Sequence, residues 1–338
     1  MRSHTVPRKL LEQFAYDDAT TRSKRLWRYE KGRPPHKKAS PRTATRIDRH
    51  FSDPEDAAKE SEIEKRLNQE FEEPVNKFLF EIADPGFIST EERRRQLTFY
   101  VTLLFQRSEA RRLASTHLQD VFEHALKLFT GNESQILTVA AKWGLESGLL
   151  VTNDQVVKMA LAHSGDHFKG TNAQRSYVGM IQKVMSELDK GLFSGEWNYI
   201  RTVPTDPFIL SDAPVVTWQR MRNGSLSYGL GFYRPDVEVL LPISPVVCLH
   251  IQPNVERSAV ARRPTVREVN AAQAAFAVRA CFSNIESAGI DGIFQENFRK
   301  AEMGVNCFTI WHRNYDTAVY DILMSHKPRL VSQTQVAG

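Results

Sequence analysis

Apolar side chains recur in short patterns near the N-terminus. Over Ser23–Tyr29, apolar and basic side chains alternate, which is typical of a strand with one buried face. Pro7 can open a short helix, because the first turn of a helix leaves its N–H groups unpaired. Leu10 and Phe14 then supply one apolar side of that helix.

Prolines punctuate the segment that follows. Pro34 and Pro35 mark a connection after the first strand. A second strand is expected over Thr43–Phe51. Residues 1–52 are therefore predicted to form short strands and one helix.

The apolar spacing changes to three and four residues between positions 55 and 192. Leu67, Phe71, Val75 and Phe78 follow this spacing, which places them on one face of an amphipathic helix. The same spacing returns in further segments, so residues 55–192 are predicted to be predominantly helical.

A helix start is also visible within this block. Ser89 or Thr90 can cap the next helix, because a side-chain oxygen at this position accepts a free backbone N–H. Glu91 and Glu92 then lie in the first turn, where negative charge complements the helix dipole.

After Gly195 the pattern shifts toward a period of two. A helix is predicted over Thr265–Ser287, and residues 197–330 as a whole are predicted to form a sheet plus helices. The runs rich in β-branched and aromatic residues predict strands at Trp197–Val203, Phe208–Leu210, Val215–Trp218, Val237–Leu241 and Val246–Ile251.

These segments predict an α+β fold. A helical block lies between short N-terminal strands and a C-terminal, mainly antiparallel sheet. If the N-terminal strands return to the C-terminal sheet, residues 1–330 form one discontinuous domain. No internal repeat or low-complexity linker marks a boundary.

Basic residues are concentrated at the N-terminal end of the chain. The 338 residues carry 45 Lys and Arg against 40 Asp and Glu, a net charge of +5. Residues 1–50 hold 14 basic and 5 acidic residues, a local +9, which leaves 31 basic and 35 acidic residues, or −4, elsewhere. The basic segment is either a face that binds nucleic acid or another polyanion, or a solvated surface that pairs with the acidic helix after it.

Composition and motifs exclude several classes of protein. The apolar runs are shorter than the roughly 20 residues that cross a bilayer, and the N-terminus lacks the apolar core of a secretory signal. Cys248, Cys281 and Cys307 form no CxxC pair, which favours a reducing, cytoplasmic setting with buried thiols. The sequence has no nucleotide-binding glycine loop, serine-hydrolase elbow or HExxH motif.

Several short motifs follow one another along the chain. In chain order they are His4-Thr5-Val6-Pro7 with Leu10, Leu11 and Phe14, then Trp27-Arg28-Tyr29, Ile63-Glu64, Phe71-Glu72, Gln106-Arg107 with Arg111, Leu210-Ser211-Asp212-Ala213-Pro214, and Leu241-Pro242-Ile243-Ser244-Pro245. In this order they resemble a bacterial family known as domain of unknown function 4238. The similarity covers about residues 4–300, and one departure is Ala213, where the family pattern is expected to have Asn. The family has no established activity, so the resemblance implies no particular reaction.

Six polar residues stand out from both the residue pattern and the resemblance. They share the ability to bind a metal or a phosphoryl group, and they are His4, Glu64, Glu72, Arg107, Arg111 and Asp212. In one interpretation the carboxylates and His4 hold a divalent metal while an arginine stabilises a phosphoryl transition state. In the other, the same carboxylates and arginines form salt bridges between helices that anchor the N-terminal segment, with His4 capping the network.

Asp212 has two interpretations of its own. It follows the apolar strand Phe208–Leu210, and an Asp at the end of a strand is a common position for catalysis. It also precedes Pro214 closely, as in an Asx-turn.

The sequence thus supports two functional hypotheses. The first is a metal-assisted phosphodiesterase or nuclease-like hydrolase that uses the six polar residues. The second is a non-catalytic binding or regulatory protein that meets a polyanion through the basic N-terminal face.

Overall fold

A computed structural model describes the chain over residues 2–48, 57–109, 111, 130–147, 152–158, 179, 181–220, 226–228, 232, 237–252 and 263–300. The chain divides into two compact units. One comprises residues 1–114 and 177–303, and the other comprises residues 115–176 and 304–338. Residues 301–330, the end of the segment predicted to form a sheet plus helices, lie outside the described residues.

Helices occupy the middle of the chain, as predicted. The helices are α1 (Arg8–Gln13), α2 (Ala57–Arg66), α3 (Glu73–Asn76), α4 (Glu91–Gln106), α5 (Glu133–Ser147), α6 (Lys190–Ser194), α7 (Val266–Phe276) and α8 (Ala288–Asn297). A π-helical segment, Leu67–Glu72, joins α2 to α3, and a 3₁₀ turn covers Glu81–Ala83. The described part of the second unit is helical, with α5 followed by a further helical stretch at 153–158.

Strands lie at both ends of the first unit, so the fold is α+β. They are β1 (Arg2–His4), β2 (Tyr16–Asp18), β3 (Ser23–Glu30), β4 (Arg33–Ala39), β5 (Arg46–Asp48), β6 (Glu196–Arg201), β7 (Leu210–Ser211), β8 (Val216–Arg220), β9 (Leu226–Tyr228), β10 (Val237–Ser244), β11 (Val247–Gln252) and β12 (Ala280–Ser283). Every pairing between these described strands is antiparallel.

The strands form three sheets. β1 and β5 make a two-stranded ribbon, and a five-stranded sheet has the order β6-β11-β10-β8-β9. The third sheet has the order β2-β3-β12-β7, with β4 also paired to β3. In this sheet N-terminal β3 pairs with C-terminal β12, from Trp27 opposite Ser283 to Glu30 opposite Ala280.

The sheet with the order β6-β11-β10-β8-β9 is covered on both faces of its central strand, β10. Val237, Val239 and Leu241 of β10 belong to the larger core cluster, which also includes the buried face of α4. Leu240 packs in a second cluster with Val269 of α7. Because both faces of β10 are buried, its sequence reads as a continuous apolar run rather than an alternating one.

Two sequence predictions are wrong in detail. β4 includes Pro34 and Pro35, which the sequence assigns to a connection, and it pairs with β3 alone, as an edge position tolerates proline. The helix predicted over Thr265–Ser287 ends at Phe276, and β12 and the start of α8 follow. The reason is tertiary, since the strand pairing of β12 with β3 and β7 overrides local helical spacing.

No helix among the residues that the structure describes is both long enough and apolar enough to span a bilayer.

Candidate functional site

Arg107 lies at the centre of a buried polar network. It is the C-cap residue of α4 and only 3% of its surface is exposed. Its Nη1 donates to Glu72 Oε1 at 2.5 Å, its Nη2 to the His4 carbonyl at 2.8 Å, and its Nε to the Thr5 carbonyl at 3.0 Å. One guanidinium therefore joins α4 to the π-helical segment and to the end of β1.

The predicted contact between the two helical segments is thus present. Burial alone would lower the pKa of Arg107, but the negative charges of Glu72 and Glu64 raise it above its ordinary value. The half-buried carboxylate of Glu64 on α2 therefore belongs to the same electrostatic network. Arg111, one turn further, places its guanidinium carbon 4.7 Å from the centroid of the Phe105 ring.

His4 joins this network through its backbone, while its imidazole faces other cations. Burial, together with the positive charges of Arg107, Arg46 and Arg8, lowers the pKa of His4 from 6.5 to about 4. Its Nδ1 is buried and has no hydrogen-bond partner within the described part of the chain. The ring is therefore neutral near pH 7.

Asp212 lies at a different place, beside a cavity of about 120 Å³ that the Glu72–Arg107 pair does not line. Its Oδ1 accepts the backbone N–H of Val278 and its Oδ2 accepts that of Arg279, both at 2.8 Å. The predicted Asx-turn is therefore wrong, since the carboxylate binds the backbone 66 and 67 residues later in the chain. These two bonds hold the turn between α7 and β12.

The pKa of the Asp212 carboxyl is raised well above its ordinary value. Burial, helped by the negative charge of Glu109, raises the pKa of Asp212 from 3.8 to about 6, although hydrogen bonds from backbone N–H groups oppose the change. Such a group exchanges its proton near neutral pH, where a general acid or base is most effective.

The remaining charged residues of the cavity were not predicted from the sequence. Glu109 is buried and accepts Arg279 Nη2 at 2.6 Å, while Arg28 and Arg46 supply two more guanidinium groups to the lining. Buried Nε atoms of Arg28 and Arg46 have no hydrogen-bond partner among the described residues. Glu109 stands two positions after Arg107, so a wider search around the Gln106-Arg107 motif would have found it. Arg28 stands in the Trp27-Arg28-Tyr29 motif but was not among the candidate site residues, and no local pattern marks Arg46.

Thr5 connects the network to the cavity. Its carbonyl accepts Arg107 Nε, and the residue also lines the cavity together with Arg46 and Asp212. Bonds between Thr5 and Val6 on one side and Thr45 on the other hold this part of the chain in place. The structure thus brings His4, Glu64, Glu72 and Arg107 into one network and places Asp212 at the adjoining cavity.

The described residues contain no group of three or more His, Cys, Asp or Glu arranged to hold a metal ion. Cys248 and Cys281 are buried and free, as predicted, and Cys307 lies outside the described residues. The expected divalent metal stays a prediction.

A buried polar cluster around Glu238 of β10 was also not predicted from the sequence. His250 Nε2 and Glu238 Oε2 are 2.8 Å apart, and Arg220 Nε donates to the other oxygen of Glu238 at 3.0 Å. Arg220 Nη1 also binds Glu268 at 3.2 Å, so the group ties three strands to α7. Its residues line neither described cavity.

A larger cavity of about 520 Å³ lies between residues 205–207 and the starts of α7 and α8. Its buried amide, Asn270, is hydrogen-bonded at both ends, because Oδ1 accepts Ile209 N–H and Nδ2 donates to the Pro207 carbonyl, both at 2.9 Å. The charged side chains on its wall, such as Arg267 and Glu296, are exposed. Buried charged side chains, Asp212 and Glu109, therefore line the smaller cavity and not the larger one.

Comparisons with known proteins agree with the sequence motifs. A search of curated proteins found no match, and a search of solved structures found none. The model of a family described as protein of unknown function (DUF4238) matches residues 2–287. That range includes the whole Arg107 network and every residue that lines the Asp212 cavity. The chain therefore belongs to the DUF4238 family.

Proposed function

We propose that this protein hydrolyses phosphodiesters at the cavity lined by Asp212 and Glu109. The observation that carries the proposal is a carboxyl with a pKa of about 6 in a cavity that three arginines also line. Arginine guanidinium groups match the geometry of phosphate oxygens, and a carboxyl that titrates near neutral pH can move a proton.

In this proposal each residue type has one task. Arg28 and Arg46 bind the phosphate oxygens and stabilise the negative charge that grows in the transition state. The ionised Asp212 accepts a proton from the attacking water, since each carboxylate oxygen has lone pairs besides those that accept the backbone N–H groups. Glu109 keeps the pKa of Asp212 raised and holds Arg279 at the wall.

The test is hydrolysis of bis(p-nitrophenyl) phosphate and of a labelled oligonucleotide by the purified full-length chain. We expect turnover that falls at least 100-fold in Asp212→Asn and Glu109→Gln, because general acid–base catalysis contributes about 10²–10⁴-fold. Glu91→Gln, an exposed carboxylate in the first turn of α4, is the matched control and should keep full activity.

Asp212→Asn can also weaken folding, because an amide cannot accept both backbone N–H groups. Thermal unfolding of each variant therefore accompanies the assay, and Glu109→Gln provides a second route to the same conclusion. Assays with added Mg²⁺ and with EDTA examine the metal hypothesis, and a rate unchanged by EDTA is expected for acid–base catalysis alone. Turnover that survives both substitutions would refute the proposal.

A second candidate function is polyanion binding without catalysis. It is favoured by exposed basic side chains near the turns that flank β3, namely Arg22, Lys24, Lys31 and Arg33. Binding of this kind falls steeply with added salt and is insensitive to chelators. A filter-binding titration at about 50 and 200 mM salt would separate it from hydrolysis, since it predicts binding without turnover.

We also place the protein in a reducing compartment, in keeping with the cytoplasmic setting expected from the sequence. The buried free thiols of Cys248 and Cys281 support this assignment.

A further inference from the structure

The outer edge of β6 carries unpaired backbone groups. Within the residues that the structure describes, β6 pairs with β11 alone, at one end of the five-stranded sheet. Thr202, directly after β6, donates its N–H to the Val246 carbonyl of the β11 side at 3.0 Å. Because bonded residues alternate along an antiparallel pair, Trp197, Tyr199 and Arg201 point their N–H and C=O groups away from β11. No described residue bonds to these backbone groups.

The other described edge strands are protected from pairing with another chain. β4 contains Pro34, Pro35, Lys37 and Lys38, and both residue types oppose the addition of a further strand. β2, β7 and β9 are only two or three residues long. β6 has six residues and contains neither proline nor lysine, so it is the described edge best able to accept another strand.

Exposed apolar side chains lie around the same edge. Val203 is two positions beyond β6, and Ile88 follows Phe87, whose ring contacts that of Tyr199 at a centroid distance of 5.6 Å. Phe80 directly precedes the 3₁₀ turn whose end binds the Arg201 guanidinium through backbone carbonyls. Val203, Ile88 and Phe80 are each more than half exposed, and large apolar groups that cluster at a surface mark an interaction site.

The charges of β6 favour a second copy of the same strand as the partner. Glu196 and Arg201 lie at its two ends, both are exposed, and neither forms a salt bridge with a described residue. If two copies of β6 pair antiparallel, the acidic end of each strand lies beside the basic end of the other. Parallel pairing would instead bring like charges together.

We propose that two copies of this chain form a dimer by antiparallel pairing of their β6 edges. The two-fold axis passes beside Tyr199, so Tyr199 lies opposite its own copy and Trp197 lies opposite Arg201 of the second copy. All three outward-pointing residues then bond across the pair, and the two five-stranded sheets become one. Because each copy uses its own β6 edge completely, the assembly closes at two chains. The inference is independent of the proposed hydrolysis.

The first test is the mass of the purified full-length chain by sedimentation velocity between about 1 and 100 µM, since dimerisation follows mass action. We expect a single transition from the chain mass to twice that mass. A monomer at every concentration overturns the proposal, and so does a mass that continues to grow beyond two chains.

Hydrogen exchange at single amides then examines the edge itself. We expect the amides of Trp197, Tyr199 and Arg201 to exchange at least about tenfold more slowly at the higher concentration, because only the dimer gives them acceptors. Asn198 and Ile200 bond to β11 and should be protected at both concentrations. A dimer in which the three outward amides stay unprotected contradicts edge pairing. Their protection in the monomer would mean that another segment of the same chain covers the edge, and this result also overturns the proposal.

Two variants test the partner. Glu196→Lys should weaken the dimer by about tenfold, because symmetry places the reversed charge twice in the interface. Val203→Lys should weaken it as well, since the side chain is exposed in the single chain and its substitution leaves the core intact. Glu296→Lys, at an exposed position of α8, is the matched control and should not change the dimerisation constant. Thermal unfolding confirms that each variant is folded, and equal dimerisation of all three variants would reject the β6 interface.

Discussion

At the scale of single residues, two titratable groups respond to burial in opposite directions. The pKa of Asp212 is raised to about 6, whereas that of His4 is lowered to about 4. In both cases the charged form is disfavoured, because burial removes water and the nearest charges have the same sign. Between about pH 4 and 6, Asp212 is therefore mostly protonated in the folded protein and mostly ionised in the unfolded chain. His4 is mostly neutral in the folded protein and mostly protonated in the unfolded chain over the same range.

These directions predict a specific pH dependence. The folded state holds the Asp212 proton more tightly than the unfolded chain, so this residue makes the free energy of unfolding fall as pH rises from about 4 to 6. The shift from 3.8 to about 6 corresponds to about 3 kcal/mol. His4 acts in the opposite direction, since its contribution to stability rises with pH over the range between its two pKa values.

We therefore expect the free energy of unfolding of Asp212→Asn, relative to the unmodified protein, to rise by about 3 kcal/mol between pH 4 and 7. Urea unfolding at several pH values measures this difference. His4→Gln serves as the comparison, and its difference should change in the opposite direction over the same range. A difference for Asp212→Asn that is independent of pH would show that the carboxyl is not perturbed.

At the scale of elements, single polar side chains join the ribbon and the helices through hydrogen bonds, in addition to the apolar packing of the core. Arg107 joins α4, the π-helical segment and the end of β1 through three hydrogen bonds. Gln273 of α7 acts similarly, accepting Ser211 N–H at 2.9 Å and donating to the Pro214 carbonyl at 2.8 Å. The turn that carries Asp212 is thereby held to α7, and its carboxylate in turn holds the end of that helix.

Removal of the Arg107 side chain should be costly. In Arg107→Ala the half-buried Glu72 carboxylate and two carbonyls lose their donor, so we expect the free energy of unfolding to fall by about 3–5 kcal/mol. Chemical denaturation measures the loss. Arg66→Ala is the matched control, because Arg66 forms an exposed ion pair with Glu70 at 3.0 Å and its removal should cost about 0.5 kcal/mol. Equal losses in the two variants would contradict the central role of Arg107.

At the scale of the molecule, the two ends of the first unit are built into one sheet. β12 pairs with β3 across some 250 residues of sequence and also with β7. Tyr29 adds a side-chain link, since its hydroxyl donates to the Ile285 carbonyl at 2.9 Å and accepts Ser287 N–H at 3.0 Å. Contacts between residues so distant in sequence are expected to form late in folding.

We therefore predict that β3 and β12 unfold together. Phe282→Ala, at a fully buried position in β12, should lower the free energy of unfolding by about 3–5 kcal/mol. Hydrogen exchange should then accelerate in β3 as much as in β12. Val203→Ala, at a position that is 58% exposed, is the control and should leave both strands protected. Faster exchange in β12 alone would contradict the prediction.

Local sequence determined the elements whose signals are complete within a few residues. The cap at Thr90, the helix after Pro7 and the buried run of β10 follow from side-chain chemistry and apolar spacing alone. The contact of Glu72 with Arg107 was also predictable, since both lie on amphipathic helices with known faces.

Tertiary structure decided what depends on distant pairing. It ended α7 at Phe276 in favour of β12, and it assembled Arg28, Arg46, Glu109, Asp212 and Arg279 around one cavity. Those five residues come from separate parts of the chain, and no local spacing can encode the distance between residues that meet only after the sheet closes.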